Sequence, residues 1–106
     1  MKKILLACAG GYSTSMLVTK MQEAAKKRGL VVEIDAAAIS AIAKQIDHIS
    51  IIMLGPQMSH NEETLKKEYG DRIPITTIAM LDYGMMDGEK VLSVALQLIE
   101  NFGRSA

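Results

Sequence analysis

Lys3-Ile4-Leu5-Leu6-Ala7-Cys8-Ala9-Gly10-Gly11-Tyr12-Ser13-Thr14-Ser15 is the stretch from which the rest of the chain is read. Its apolar opening, Lys3 to Ala7, reads as a short buried strand, and Cys8-Ala9-Gly10-Gly11 reads as a tight loop of small residues. A helix follows. Ser13 or Thr14 is placed to cap it, Leu17, Met21 and Ala24 recur on one face, Lys26, Lys27 and Arg28 suit its negative end, and Gly29 stops it.

Working outward, the same alternation repeats. Leu30 to Ala36, with Val31, Val32 and Ile34, reads as a second strand, and Ala37 to Ile46 has the alanine content and the Ile39, Ile42, Ile46 spacing of a short helix. Ile49 to Leu54 is almost wholly apolar without alternation, so it is expected to be a central parallel strand covered on both faces. Gly55 and Pro56 end it, and Ser59-x-x-Glu62 looks like a capping box opening a helix that runs toward Tyr69 and ends at Gly70. Ile73 to Met80 forms a fourth strand, with Pro74 near its start, and Asp82 to Met86 a loop. Asp87 caps a last helix whose Val91, Val94, Ala95, Leu98 and Ile99 fit the spacing of an apolar face.

Strands alternating with helices through short connections imply an α/β fold: one domain over residues 1–106, with an open four-stranded parallel sheet and helices on both faces. In such sheets ligands bind beyond the carboxyl ends of the strands. The loops expected to share that crevice hold Cys8 to Ser13, Gly55 to Gln57, and Asp82 to Gly84.

Composition narrows the function. The 106 residues carry 12 basic and 12 acidic side chains and are 49% hydrophobic, so there is no nucleic-acid footprint and no polybasic membrane patch. Aromatic residues are only 4%, with no Trp, which poorly supplies stacking on bases or sugars. The single Cys argues against a disulfide and against a zinc or iron-sulfur site, and it fits a reducing, cytoplasmic compartment. Neither metal nor other cofactor is expected. The opening Met-Lys-Lys-Ile-Leu-Leu-Ala-Cys imitates a lipoprotein signal, but Ile4 to Ala7 falls short of the roughly 7 to 15 apolar residues of a signal core.

The chemistry is expected at Cys8. A strand end running into a helix start leaves backbone N–H groups without intrahelical acceptors at the positive end of the helix dipole, which makes an anion cradle. Gly10 and Gly11 let the backbone curl around a phosphate, and the hydroxyls of Ser13, Thr14 and Ser15 add donors or cap the helix. A thiol at the head of such a cradle is expected to lose its proton readily and to act as a nucleophile without a neighbouring base. Charge-assisted hydrogen bonds of roughly 1.5 to 3 kcal/mol each would hold a dianionic phosphoryl group with neither a metal nor a cationic side chain. The plainer reading is a small buried hydrophobe that precedes a glycine turn.

Spacing excludes the common nucleotide loops, since neither G-x-x-x-x-G-K-[ST] nor G-x-G-x-x-G occurs. The nearer competitor is the cysteine phosphatase loop, C-x-x-x-x-x-R. Here the sixth residue after Cys8 is Thr14, so the bidentate cation that speeds hydrolysis is missing, which suits storage of a phosphoryl group. Three readings stay open on the residues alone: a phosphoryl carrier, a cysteine phosphatase or arsenate-reductase-like enzyme, and a phosphate-binding interaction module.

On three motifs the chain resembles the enzyme IIB component of the lactose and cellobiose (N,N'-diacetylchitobiose) branch of the bacterial sugar phosphotransferase system. They are the C-x-x-G-x-S-T-S loop at Cys8 to Ser15, Leu54-Gly55-Pro56-Gln57, and Tyr83-Gly84 with Asp87-Gly88. The resemblance implies a flavodoxin-like or low-molecular-weight-phosphatase-like sheet. It also implies that Cys8 takes a phosphoryl group from a phosphohistidine on enzyme IIA. The group then passes to a sugar, a β-linked disaccharide, held by membrane-embedded enzyme IIC, so the chain is expected to work at the inner face of the membrane. Ala9 and Tyr12 depart from the Ser and Met often found in the family, which removes one potential hydroxyl contact at Ala9 and leaves Tyr12 to shape a partner surface.

Other residues carry weaker expectations. Gln57 is placed to donate its amide near the phosphoryl group, and Tyr83, Met85 and Met86 to form an apolar docking rim. Asp82 and Asp87 are candidates for a general acid, although turns and caps also favour Asp. His60 lies on the functional side and His48 at the opposite edge, and both read as surface residues.

Overall fold

Alternate residues of the first strand face opposite sides, and both sides are covered. In β1 (Lys2–Cys8), Ile4 and Leu6 join one buried cluster while Leu5 and Ala7 join another. The computed structural model describes residues 1–8 and 12–105, without the side chains of residues 12, 13, 104 and 105. β2 (Val32–Ala38), β3 (Ile51–Leu54) and β4 (Ile75–Thr77) complete a sheet of order β2-β1-β3-β4, every neighbouring pair parallel. Leu5 pairs with Asp35 on one side and Ile52 on the other, and Cys8 stands opposite Ala38 at the carboxyl edge. All four residues of β3 are buried, as the unbroken apolar run implied.

α1 (Tyr12–Lys27) and α4 (Gly88–Ser105) cover the first face, with Leu17, Val18, Met21 and Ala24 against Val91, Leu92 and Ala95. Leu65 of α2 (Glu62–Tyr69) covers the second face, together with Ile42 and Ile49. Two glycines make this packing possible. Gly29 adopts φ +69°, and Leu30 N–H returns to Ala25 C=O at 2.9 Å, ending α1 in a left-handed cap. Gly88 opens α4 directly against α1, where a Cβ would lie 2.5 Å from the carbonyl carbon of Lys20.

Four expectations need correction. β2 runs on to Ala38, and the helix expected over Ala37 to Ile46 is replaced by 3-10 helices at Ile39–Ala41 and Ala43–His48. Pairing of Ala36, Ala37 and Ala38 with Leu6, Ala7 and Cys8 outweighs alanine's helix propensity. The capping box at Ser59 is not formed. Pro56–Asn61 is a 3-10 helix, and α2 begins at Glu62 with Asn61 making no side-chain cap. The Glu62 carboxylate is already engaged by Thr77 Oγ1 at 2.6 Å and Lys66 Nζ at 3.0 Å.

The fourth strand is shorter than expected and is followed by a turn of helix where a loop was expected. After Ile78 N–H bonds Leu54 C=O at 2.8 Å, the chain leaves the sheet and winds into α3 (Met80–Gly84), closed by Tyr83 N–H to Ala79 C=O at 3.0 Å. Finally, Ser13 and Thr14 lie inside the first turn of α1, which opens at Tyr12, so neither is its cap. Asp87 does cap α4, its Oδ1 accepting Lys90 N–H at 3.1 Å.

Candidate functional site at the carboxyl edge of the sheet

The strand order reverses between β1 and β3, and the crevice of a doubly wound sheet forms at that switch point. Cys8 ends β1 there. By alternation it follows Ile4 and Leu6 onto the face covered by α1 and α4, and it is 7% exposed. Its Sγ donates a weak hydrogen bond to Ala37 C=O at 3.8 Å, at the carboxyl end of β2. The sulfur is therefore held at the edge of the sheet. Ala9, Gly10 and Gly11 lie outside the described residues, as do the side chains of Tyr12 and Ser13.

Thr14 is the only polar residue among the described ones to be buried, at 3% exposure. It occupies the first turn of α1, and its Oγ1 shares a hydrogen bond of 3.0 Å with the Tyr83 hydroxyl of α3. Gln57, in the turn after β3, donates its Nε2–H to the same phenol oxygen at 3.4 Å. The loops after β1, β3 and β4, which the sequence placed together, are thus joined by one chain of three side chains. Gly55 N–H bonds Ala7 C=O at 3.3 Å, which holds the third loop beside the first. Ser15 is exposed on α1, Pro56 is half-buried, and Gly84 is exposed at the end of α3.

Of the two aspartates, only Asp87 has its carboxylate on the backbone. Asp82 C=O accepts Asp87 N–H at 2.9 Å, and Asp87 is spent on the cap of α4. His60 is exposed in the 3-10 helix after β3, and His48 lies before β3 at the far edge, beside Lys3 and Ser50. Of the expected rim, Met85 is 69% exposed, whereas Met86 and Tyr83 are half-buried against the α1–α4 core. Met86 turns inward because its backbone takes φ +52° to reverse the chain between α3 and α4.

Sequence reasoning missed Met16, Met80 and Leu81, which are 55%, 78% and 72% exposed around the same edge. The signal for Met16 was its position one residue off the buried Leu17 face. Met80 and Leu81 gave none, because the pattern ends the fourth strand at Met80 and leaves Leu81 between that strand and the loop. Also missed was the Thr77–Glu62–Lys66 contact between the end of β4 and the start of α2. The Thr77 hydroxyl and the Lys66 ammonium hold the Glu62 carboxyl below its ordinary value of 4.5.

Among the described residues no helix is long and apolar enough to cross a membrane. The sequence profile described as "PTS system, Lactose/Cellobiose specific IIB subunit" matches residues 3–94. The chain is 43% identical over 102 residues to the oligo-beta-mannoside-specific EIIB component of Bacillus subtilis, covering 95% of this chain and 99% of that protein. It is 31% identical over 65 residues to a lactose-specific EIICB component of Streptococcus mutans, covering 61% of this chain and 11% of that longer protein. The solution structure of a cellobiose-specific phosphotransferase IIB component from Borrelia burgdorferi superposes with a TM-score of 0.80 at 37% identity, over 94% of this chain and 93% of that one. With a parallel sheet of this order, a family profile over residues 3–94 and relatives matching nearly end to end, the chain belongs to the lactose/cellobiose-specific IIB subunit family of the sugar phosphotransferase system.

Proposed function

We propose that this IIB component carries the phosphoryl group on Cys8, receiving it from a phosphohistidine on an enzyme IIA partner and delivering it to a sugar held by enzyme IIC. The observation that carries this reading is the position of Cys8 at the β1/β3 switch point, at the end of β1, with α1 beginning at Tyr12. The first-turn N–H groups of a helix have no intrahelical acceptors, and they would meet the negative charge of the transferring group.

In the first transfer the thiol leaves its bond to Ala37 C=O, and its proton ends on the donor imidazole nitrogen that phosphorus leaves. The sulfur then attacks phosphorus, an S–P bond forms, and the P–N bond breaks with its electron pair returning to the donor imidazole. In the second, a sugar hydroxyl attacks phosphorus, an O–P bond forms, and the S–P bond breaks with its electron pair on sulfur, which takes up the hydroxyl proton to restore the thiol. Helix-end stabilisation contributes only about 0.3 to 2 kcal/mol, so most of the acceleration comes from alignment by the partners. The phosphoryl-binding residues in this reading are Ala9, Gly10, Gly11, Tyr12, Ser13, Thr14 and Ser15, with Gly55, Pro56, Gln57, Asp82, Tyr83 and Gly84 forming the adjoining surface.

The exposed apolar side chains of Met16, Met80, Leu81 and Met85 border this edge and supply a docking rim. A relative named as a joined EIICB component supports enzyme IIC as one partner and, in this reading, work at the cytoplasmic face of the membrane. The names of the B. subtilis and B. burgdorferi relatives support a β-linked disaccharide or oligosaccharide as acceptor. Replacing Cys8 with Ser tests the reading. The variant is expected to keep the circular dichroism and melting curve of the wild type while taking up no phosphoryl group from a phosphohistidine donor, and a Cys8→Ser chain that still passed phosphoryl to sugar would refute it.

A further inference from the structure

The sixth position after Cys8 is where a cysteine phosphatase would present its arginine, and here it is filled by a buried hydroxyl that is already bonded. A residue 3% exposed with its hydroxyl 3.0 Å from a phenol is a fixed element of the first turn of α1. The phenol in turn is held from three sides. Its ring packs against the α1–α4 core, its backbone belongs to α3, and its oxygen receives the Gln57 amide at 3.4 Å.

The order of donors along this chain matters. Gln57 Nε2 can only donate, so the Tyr83 oxygen accepts there and its own hydrogen is available to Thr14 Oγ1. When Tyr83 donates, the Thr14 hydroxyl hydrogen has no further acceptor among the described residues and is available to donate toward the loop that follows Cys8. We infer that Tyr83 is a positioning residue for phosphoryl transfer, acting through Thr14. It locks the first turn of α1 to the loops after β3 and β4, and it orients the Thr14 hydroxyl as a donor toward the anion. The inference rests on the carrier reading of Cys8.

Tyr83 thereby does by fixing geometry what an arginine does by charge. The first-turn amides are useful only while they stay aimed at one place, and misplacement of about 1 Å can cost on the order of 100-fold in rate. Neutral hydroxyls at the sixth position give alignment without the bidentate cation that would stabilise attack by water.

The experiment measures single-turnover loading of the full chain from a phosphohistidine donor protein, at varied donor concentration, for wild type, Tyr83→Phe, Thr14→Val and the double variant. Wild type is measured first, and a wild-type chain that takes up no phosphoryl group overturns the carrier reading itself, before any variant is compared. With wild type loading, Tyr83→Phe and Thr14→Val are each expected to lower the saturating rate constant about tenfold or more, leaving the half-saturating donor concentration unchanged. The double variant is expected to be no slower than either single one, because both remove the same contact. Thr14→Ser, which keeps the hydroxyl, is expected to load several-fold faster than Thr14→Val. Unchanged rates, a change confined to the half-saturating concentration, or losses that multiply in the double variant would overturn the inference. If Tyr83→Phe fails to fold, the Thr14→Val and Thr14→Ser pair decides it, equal rates for those two counting against.

Discussion

Cys8 and Thr14 show how much a residue's place in the sequence can and cannot disclose. The place of Cys8 was legible because an apolar run that stops at small residues reads as a buried strand, and the strand end is where it stands. The weak bond from its sulfur to Ala37 C=O was not legible, since it depends on β2 continuing two residues further than its pattern suggested. Thr14 was read as a cap or a donor and proved to be a buried anchor, because its partner Tyr83 is 69 residues away in sequence. Glu62 was likewise read as half of a local capping box, yet it belongs to Thr77 across the crevice edge.

Its pH behaviour follows. A carboxyl whose folded value is depressed stabilises the fold above its unfolded value and loses that contribution as protons return. The stability advantage of wild type over Glu62→Gln is therefore expected to be complete at neutral pH and to shrink as pH falls below 4.5, as followed by denaturant melts of both proteins across that range.

Among the elements, those with strong periodicity came out of the sequence nearly intact. α1 and α4 bury the faces their spacing specified, and β3 is buried throughout. The weak ones did not. Ala36 to Ala38 carry no side chain large enough to betray a strand, and Ile39 to His48 has the spacing of a helix but is wound as two short 3-10 pieces. α3 was hidden for another reason. It is a single turn of mostly exposed residues, set by the need to leave β4 and reach Gly88 rather than by an apolar stripe.

Gly88 is the residue on which that connection closes. A methyl group there would meet the Lys20 backbone at 2.5 Å, and backbone, unlike a side-chain tip, has nowhere to go. Gly88→Ala is expected to cost about 1 to 3 kcal/mol in urea unfolding, an overpacking penalty that forces α4 away from α1. A variant as stable as wild type would mean that the two helices are less tightly apposed than described.

For the molecule as a whole, the sheet order decides where chemistry can occur. A β2-β1-β3-β4 arrangement brings the loops after β1, β3 and β4 to one edge, and that edge collects Cys8, Gln57, Thr14 and Tyr83 together with the exposed Met16, Met80, Leu81 and Met85. A partly buried hydrogen-bonded network at the same edge as Cys8, rimmed by apolar side chains, suits the proposed carrier, in which two partners use the same face in turn. The family placement agrees with that division of labour. It also removes the phosphatase and interaction-module readings from first place, because the matched family is a phosphotransferase component.

The most direct test is to expose the intact chain to a phosphohistidine donor, digest it, and locate the added phosphoryl group by mass spectrometry, with phosphorus NMR to identify the bond. The expected result is one group, bound to sulfur, on the peptide that contains Cys8, and its loss when the cognate sugar and enzyme IIC are supplied. A phosphoryl group found on nitrogen at His48 or His60, or a sulfur adduct that sugar and enzyme IIC leave untouched, would contradict the account.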